Sequence, residues 1–339
     1  MNKSCDLSDK DDLVEKTDIS ILKDYKLAGV IGSGGFGIVY MLKLENGPSQ
    51  FYAIKSVDIS TEENKLKFQR EKNLFKVFSK GNRSIKCVHK NINCHLYISD
   101  KDDCGYIITQ YFDTDLFNDL RLLGSFDKRV SANRDYYLPQ FSSWISQLSK
   151  GIKFLRERDI AHGDLKPSNI LIRYLDNQIA ITDFDTVCLG KRSNNRCYVS
   201  DMTVYYASPE LYHHYRKEVD ISIIMESDIW ALAYIVLEMW MSSEELKKFF
   251  FEKTKNPFAN DFYTKLHIGQ FDKLFNYIDE SVNGYKLGKK LSLTNEQSLK
   301  DASILHNILS SSAIMLFSIW NGKTKTTDFD NYLKKLIIN

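Results

Sequence analysis

The hydrophobic period of this chain changes once, near Phe112, and that change limits the folds open to it. Before it, apolar residues alternate in short segments: Tyr25–Ile31, Ile38–Leu44, Phe51–Val57, Ile92–Ser99 and Tyr106–Phe112. Alternation puts successive side chains on opposite faces, so these segments read as strands. Turn formers such as Asn46-Gly47-Pro48 and Asp102-Asp103-Cys104-Gly105 bound them. One helical stretch, Glu62 to Phe78, interrupts the series. Its apolar Leu74, Phe75 and Phe78 follow Glu71 by three, four and seven residues, which puts Glu71 on the inward face. After Phe112 the period is helical. Phe141–Arg158 repeats Trp144, Ile145, Leu148, Ile152 and Leu155, and Glu226–Met241 is apolar on nearly all sides, as a central buried helix is. The expected architecture is α+β: a flexible leader over residues 1–22, a small antiparallel sheet of five strands with one helix over 23–112, and a larger, mainly helical part over 113–339, with a cleft between.

Two features of the strand-rich part carry chemistry. The run Gly32-Ser33-Gly34-Gly35-Phe36-Gly37-Ile38-Val39 has the glycine spacing of a dinucleotide-binding turn. Such a turn must open into a helix, whereas Ile38-Val39-Tyr40-Met41-Leu42 continues as a strand. Glycines between two strands let backbone N–H groups approach phosphates closely. Ala53-Ile54-Lys55 then places an ammonium inside an apolar strand, a position that calls for an anion. Glu71, sixteen residues on, is its natural ion-pair partner.

The helical part adds His162-Gly163-Asp164-Leu165-Lys166-Pro167-Ser168-Asn169, then Asp183-Phe184-Asp185 after a strand-like stretch. Ser208-Pro209-Glu210 and Asp228-Ile229-Trp230-Ala231 follow, and Ile152–Ile160 leads into the first of these blocks. In this order, from about Tyr25 to Leu333, the chain resembles the eukaryotic protein kinase superfamily. The resemblance implies a two-lobed kinase fold, a single domain over about 23–335, and ATP-dependent phosphoryl transfer to protein substrates. It implies that Asp164 accepts the substrate hydroxyl proton and that Lys166 neutralises the moving phosphoryl. Asn169 and Asp183 are implied to hold Mg²⁺ (Mn²⁺ is an alternative), suiting a hard cation that takes oxygen ligands. Lys55, fixed by Glu71, would grip the non-transferred phosphates under the loop of Gly32, Gly34, Gly35 and Gly37. Adenine would lie between Val39 and Ala53 above and Leu171 below, beside a hinge at Gln110–Phe112, with Thr109 as gatekeeper and Asp115 at the ribose. Lys166 and Thr203 match the serine/threonine pattern, Thr203 being the threonine that sits beside the catalytic Asp and Lys.

The motif set is broken in four places. Gly163 stands where most members have the arginine that reads a phosphorylated activation loop. A phosphate on Thr186, Ser193, Tyr198 or Ser200 therefore lacks its main reader, although Lys191, Arg192 and Arg196 offer substitute charge; the expectation is activity without activation-loop phosphorylation. Asp185 replaces a glycine, which permits unusual backbone angles there, and aspartate tolerates positive φ better than most residues. Ala233 replaces a helix glycine. Lys325 stands in for the arginine that clamps the glutamate here numbered Glu210, without the bidentate fork. The two altered motifs, at Gly163 and Asp185, keep a pseudokinase, a nucleotide-binding scaffold, as the alternative. A small-molecule kinase of the aminoglycoside phosphotransferase type is a further one, and Thr203–Glu210 with Asp228-Ile229-Trp230 argue against it.

Composition narrows the setting. A formal net charge of +2 gives no case for nucleic acid or a membrane surface held by charge. Six scattered cysteines without a C-x-x-C pair read as reduced, mostly buried thiols. The first twenty residues carry Asp6, Asp9, Asp11, Asp12 and Glu15 with no apolar core, unlike a signal peptide, and the longest apolar run, Ile229–Met241, is too short to span a bilayer. The expected setting is the cytoplasm or nucleus, including a host cell's if the chain is a translocated effector. The aromatics of 242–299 (Phe249, Phe250, Phe251, Phe258, Phe262, Tyr263, Phe271, Phe275, Tyr277) read as core rather than docking surface.

Overall fold

The alternating segments pair into one antiparallel sheet, because each has one apolar face to bury. The computed structural model describes residues 5–8, 10–17, 20–34, 37–46, 50–79, 87–192, 194–251, 268–286 and 296–337. Its contacts divide the chain into two units, Met1–Asp113 with Thr182–Val187, and Thr114–Ile181 with Cys188–Asn339.

The first unit holds α1 (Lys10–Thr17), β1 (Tyr25–Gly34), β2 (Gly37–Leu44), β3 (Phe51–Asp58), α2 (Glu62–Ser79), β4 (Tyr97–Lys101) and β5 (Cys104–Gln110). The strands form a five-stranded sheet in the order β1-β2-β3-β5-β4. Register sorts its residues by face. Tyr40 pairs with Ile54 and Ile54 with Ile108, and all three are buried on one side. Val39 pairs with Lys55 and Ala53 with Thr109, so these four share the other side. On that side Phe68 of α2 packs with Val57, Ile59 and Ile107.

The chain before β1 differs from the expected flexible leader. Cys5, Leu7, Leu13 and Leu22 are buried in one cluster with Tyr40, Leu42, Ile54, Tyr106 and Ile108, which closes the far face of the sheet. The Leu7 amide donates to the Tyr40 hydroxyl at 3.1 Å, and Ser99 and Lys101 of β4 donate to the Thr17 and Glu15 carbonyls at 2.8 Å each. The fourth strand also begins later than its apolar pattern, at Tyr97 rather than Ile92. Residues 91–95 are instead buried coil leading into it.

The second unit holds β6 (Thr114–Asp115), α3 (Leu116–Leu123), α4 (Phe126–Ala132), α5 (Arg134–Arg156), β7 (Ile160–Ala161), β8 (Ile170–Arg173), β9 (Gln178–Ile181), β10 (Cys188–Leu189), β11 (Arg196–Tyr198), α6 (Pro209–His213), β12 (Glu218–Asp220), α7 (Ile221–Met241), α8 (Ser243–Phe251), α9 (Ile268–Lys286), α10 (Glu296–Trp320) and α11 (Thr326–Leu336). Helix α5 starts seven residues before the expected Phe141, running through Pro139 from an N-cap at Asn133 whose side chain accepts from the Tyr136 amide. Helix α7 starts at Ile221 because Asp220 caps it, accepting from the Ser222 amide at 2.9 Å. From Ile229 to Met241 every residue of α7, Ala233 included, is buried, so it is the core helix its composition implies. Phe250 and Phe271 are buried and meet edge-on at 5.6 Å, and Phe249 meets Tyr277 edge-on at 5.6 Å, as core aromatics do. Phe258, Phe262, Tyr263 and the Phe251 side chain lie outside the described residues. Helix α10 contains a stretch, Ser303–Trp320, long and apolar enough to cross a membrane by length and composition, and it packs on α7, α9 and α11.

The cysteines correct the sequence reading outright. All six are paired: Cys5 with Cys104, Cys87 with Cys94 and Cys188 with Cys197. Linear spacing hid this, since the first pair is separated by 99 residues and only the fold brings its Cα atoms to 5.4 Å.

Candidate active site

In the first unit, β3 and α2 bring Lys55 and Glu71 together. Lys55 Nζ lies 3.3 Å from Glu71 Oε1 and 2.7 Å from Asp183 Oδ1. Burial disfavours the ammonium, but Asp183, Glu71 and Asp185 outweigh it and hold Lys55 above the ordinary lysine range. Burial likewise opposes the Glu71 charge, yet Lys55 and the His95 hydrogen bond keep that carboxyl below the usual carboxylate range. Glu71 is thus the inward-facing residue that its helix spacing implied. Its second oxygen, Oε2, lies 2.8 Å from Nε2 of His95, a residue the sequence reading passed over. The His95 ring meets Phe184 edge-on at 6.1 Å.

Asp183, with φ +65°, adopts the left-handed conformation, whereas Asp185 does not. The aspartate in place of glycine therefore needs no special backbone angle. Asp185 is buried, its carbonyl accepts from Arg70 of α2 at 3.3 Å, and its charge supports that of Lys55.

The glycine run forms the β1–β2 hairpin, with Gly32 opposite Val39 and Gly34 opposite Gly37. Gly37 has φ +153°, and a Cβ there would lie 1.9 Å from the Ser56 carbonyl oxygen, so only glycine fits. Gly35 lies outside the described residues. Ala53 and Phe112 are buried and Thr109 and Gln110 half-buried at the end of β5.

In the second unit, the segment after β7 turns sharply because a buried carboxylate holds it. Asp228 of α7 accepts the His162 amide at 2.7 Å and the Gly163 amide at 3.0 Å. Gly163 has φ +86°, a left-handed conformation that the missing arginine would have had to bear. Asp164 follows. Its Oδ2 lies 2.5 Å from Lys166 Nζ, and its Oδ1 accepts the Thr203 amide at 2.8 Å. Lys166 Nζ also donates to Thr203 Oγ1 at 3.0 Å, so the three residues close a ring of hydrogen bonds. The Asn169 side-chain nitrogen donates to the Asp164 carbonyl at 2.9 Å, which turns Asn169 Oδ1 away as an acceptor without a hydrogen bond among the described residues.

A family model described as a protein kinase domain matches residues 25–325. The chain belongs to the protein kinase domain family. Similar curated proteins include the mitogen-activated protein kinase kinase SIPKK of Nicotiana tabacum, 28% identical over 227 residues, which are 64% of this chain and 54% of that protein. Cyclin-dependent kinase E-1 of Arabidopsis thaliana is 27% identical over 267 residues, 75% of this chain and 50% of that protein. An Aurora kinase of Eremothecium gossypii is 27% identical over 227 residues, 66% and 54%. The chain spans about half the length of these relatives.

Within this kinase domain, the sequence-predicted residues fall into two groups. Lys55, Glu71 and Asp183 converge in the first unit, with Gly32, Gly34, Gly37, Val39, Ala53, Thr109, Gln110 and Phe112 on the same sheet or at its end. Asp164, Lys166 and Thr203 converge in the second, with Asn169 attached to them. Leu171 lies on β8 opposite Asp115 and Ala180. Asp115 serves the fold directly, since its carboxylate caps α3, accepting from the Asn118 amide at 2.8 Å and side chain at 2.6 Å. The expected Lys325–Glu210 clamp is not formed. Glu210 instead faces His214 at 3.5 Å, and Lys325 opens α11, its amide donating to Asp328 at 2.8 Å. A lysine that cannot bind a carboxylate in two places has less to hold it there.

Proposed function

We propose that this kinase domain transfers the γ-phosphoryl group of ATP to serine and threonine hydroxyls of other proteins. The observation that carries the reading is the ring formed by Asp164, Lys166 and Thr203. Asp164 orients the substrate hydroxyl and takes its proton as the oxygen attacks the γ-phosphorus. The bond to the bridging oxygen breaks and ADP leaves. Lys166, beside Asp164, neutralises charge on the phosphoryl in flight. In the first unit Lys55, held charged by Asp183 and Glu71, binds the non-transferred phosphates. Val39 and Ala53 give adenine apolar surface, and the hairpin of Gly32, Gly34 and Gly37 exposes backbone donors.

The residues present fit a hard divalent cation. Asn169 keeps an uncommitted side-chain oxygen, and Asp183 is a carboxylate aimed at a cation, the Lys55 ammonium. Each is an oxygen donor of the kind that Mg²⁺ takes, with Mn²⁺ acceptable to the same donors. When bound, the ion neutralises charge on the phosphate oxygens. The names of the three relatives, each a kinase, support the transfer reading.

Independence from activation-loop phosphorylation is part of the proposal. Gly163 offers no charge to read a phosphate, and Arg196 is engaged by the Glu218 carbonyl at 3.2 Å. The segment is organised by other means: β10 pairs with β7, β11 with β12, and Cys188 is joined to Cys197. Phosphatase treatment should leave activity intact, and its abolition would refute this part. The three cystines also favour an oxidising compartment over the reducing cytoplasm expected from the sequence.

The deciding experiment is transfer of radiolabelled γ-phosphate to a peptide library, comparing wild type with Asp164→Ala. Labelled serine or threonine peptides, lost in the variant by about 10²–10⁴-fold, are expected. Nucleotide binding without labelling of peptides or of the chain itself would establish the scaffold reading instead.

A further inference from the structure

The pair Lys55–Glu71 has a third member that its motif does not supply. His95 sits in the buried coil between α2 and β4, 4% exposed, with the edge of its ring against Phe184. A polar ring this buried needs a hydrogen-bond partner, and Glu71 Oε2 at 2.8 Å provides one. A carboxylate only accepts, so Nε2 carries the proton in either charge state of the ring.

We propose that His95 is a positioning residue for phosphate binding: its Nε2–H fixes one Glu71 oxygen so that the other faces Lys55. Glu71 ends a flexible side chain whose carboxylate can rotate. The bond to His95, at 2.8 Å, is shorter than the 3.3 Å contact to Lys55, so His95 holds the carboxylate the more closely of the two. The same ring backs Phe184, next to Asp183, whose Oδ1 takes the other side of the ammonium at 2.7 Å. One imidazole therefore steadies both anions that aim Lys55, one by a hydrogen bond and one by packing.

The inference rests on the phosphoryl-transfer reading for its consequence, but nucleotide binding tests it separately. His95→Leu fills the space and removes the donor, whereas His95→Gln keeps an N–H within reach. If the residue served packing alone, leucine would be the better tolerated of the two. The measurements are ADP affinity by calorimetry, KM for ATP and kcat, with thermal unfolding as control. For His95→Leu, ADP affinity should fall and KM for ATP rise about tenfold, the scale of one hydrogen bond to a charged group. His95→Gln should return both to within about threefold of wild type. Wild-type affinity in His95→Leu, or a glutamine variant as impaired as the leucine one, overturns the proposal. If the leucine variant fails to fold, ¹⁵N-histidine NMR of the wild type decides: a slowly exchanging Nε2 proton assigned to His95 and lost in Glu71→Gln supports it, and an unprotonated Nε2 refutes it. A wild type that binds ADP normally but transfers no phosphate sinks the catalytic reading and leaves this one standing.

Discussion

At the scale of single residues, two substitutions separate backbone demands from charge. Gly163 sits at φ +86°, where an L side chain clashes with its own backbone. Gly163→Ala should therefore lower stability by about 1–2 kcal/mol, read as a fall in the unfolding midpoint. Glu238, buried in α7, accepts the Tyr206 hydroxyl at 2.8 Å, and burial pushes its carboxyl above the usual range. A raised folded-state pKa means that its contribution to stability is full below the unfolded carboxylate pKa and is lost as pH rises through the folded value. Glu238→Gln keeps an acceptor but no titration. Its melting temperature relative to wild type should rise as pH is taken from 4 towards 8, and a constant difference would contradict the buried-charge account. Lys55, Asp164, Lys166, Asn169 and Asp183 stood out as candidates because each lies in one of a series of ordered motifs. His95 was not, since a single histidine in coil has no period and no neighbour in sequence that betrays its partner.

At the scale of elements, the N-terminal segment behaves as part of the sheet. Leu13 is fully buried against the face that carries Tyr40, Leu42 and Ile54. Leu13→Ala should cost about 2–5 kcal/mol, measured by denaturant unfolding, where a flexible leader would show no change. The opposite face bears Val39, Ala53 and Lys55, the side that the proposed function assigns to nucleotide. Strand and helix types followed from period 2 and period 3.6 in the sequence, but ends did not. Helix α5 passes through Pro139 and α7 begins at the Asp220 cap, because capping and tertiary burial extend a helix beyond its most regular stretch.

Over the whole molecule, cross-links join what the chain separates. Cys5–Cys104 ties the N-terminal segment to β5 across 99 residues, and Cys188–Cys197 closes a loop ahead of Thr203. Denatured protein kept from reductant should show no thiols with a thiol-reactive dye, and all six after reduction. Replacing Cys5 and Cys104 together by serine should lower stability by about 2–4 kcal/mol, because the unfolded chain regains the freedom the bond removed. Titration of six thiols without reductant would restore the reading of the cysteines as free.

The linear order of residues was enough to assign the class of fold, the kinase family likeness and the charged residues of its motifs, since each of these is written in local periods or contiguous motifs. What it could not express were contacts between distant positions: the three cystines, the docked N-terminal segment, the turn of Glu210 towards His214 and the bond from His95 to Glu71. Such contacts depend on where folding places two side chains in space, and pairing at a distance leaves no trace in the spacing of either partner.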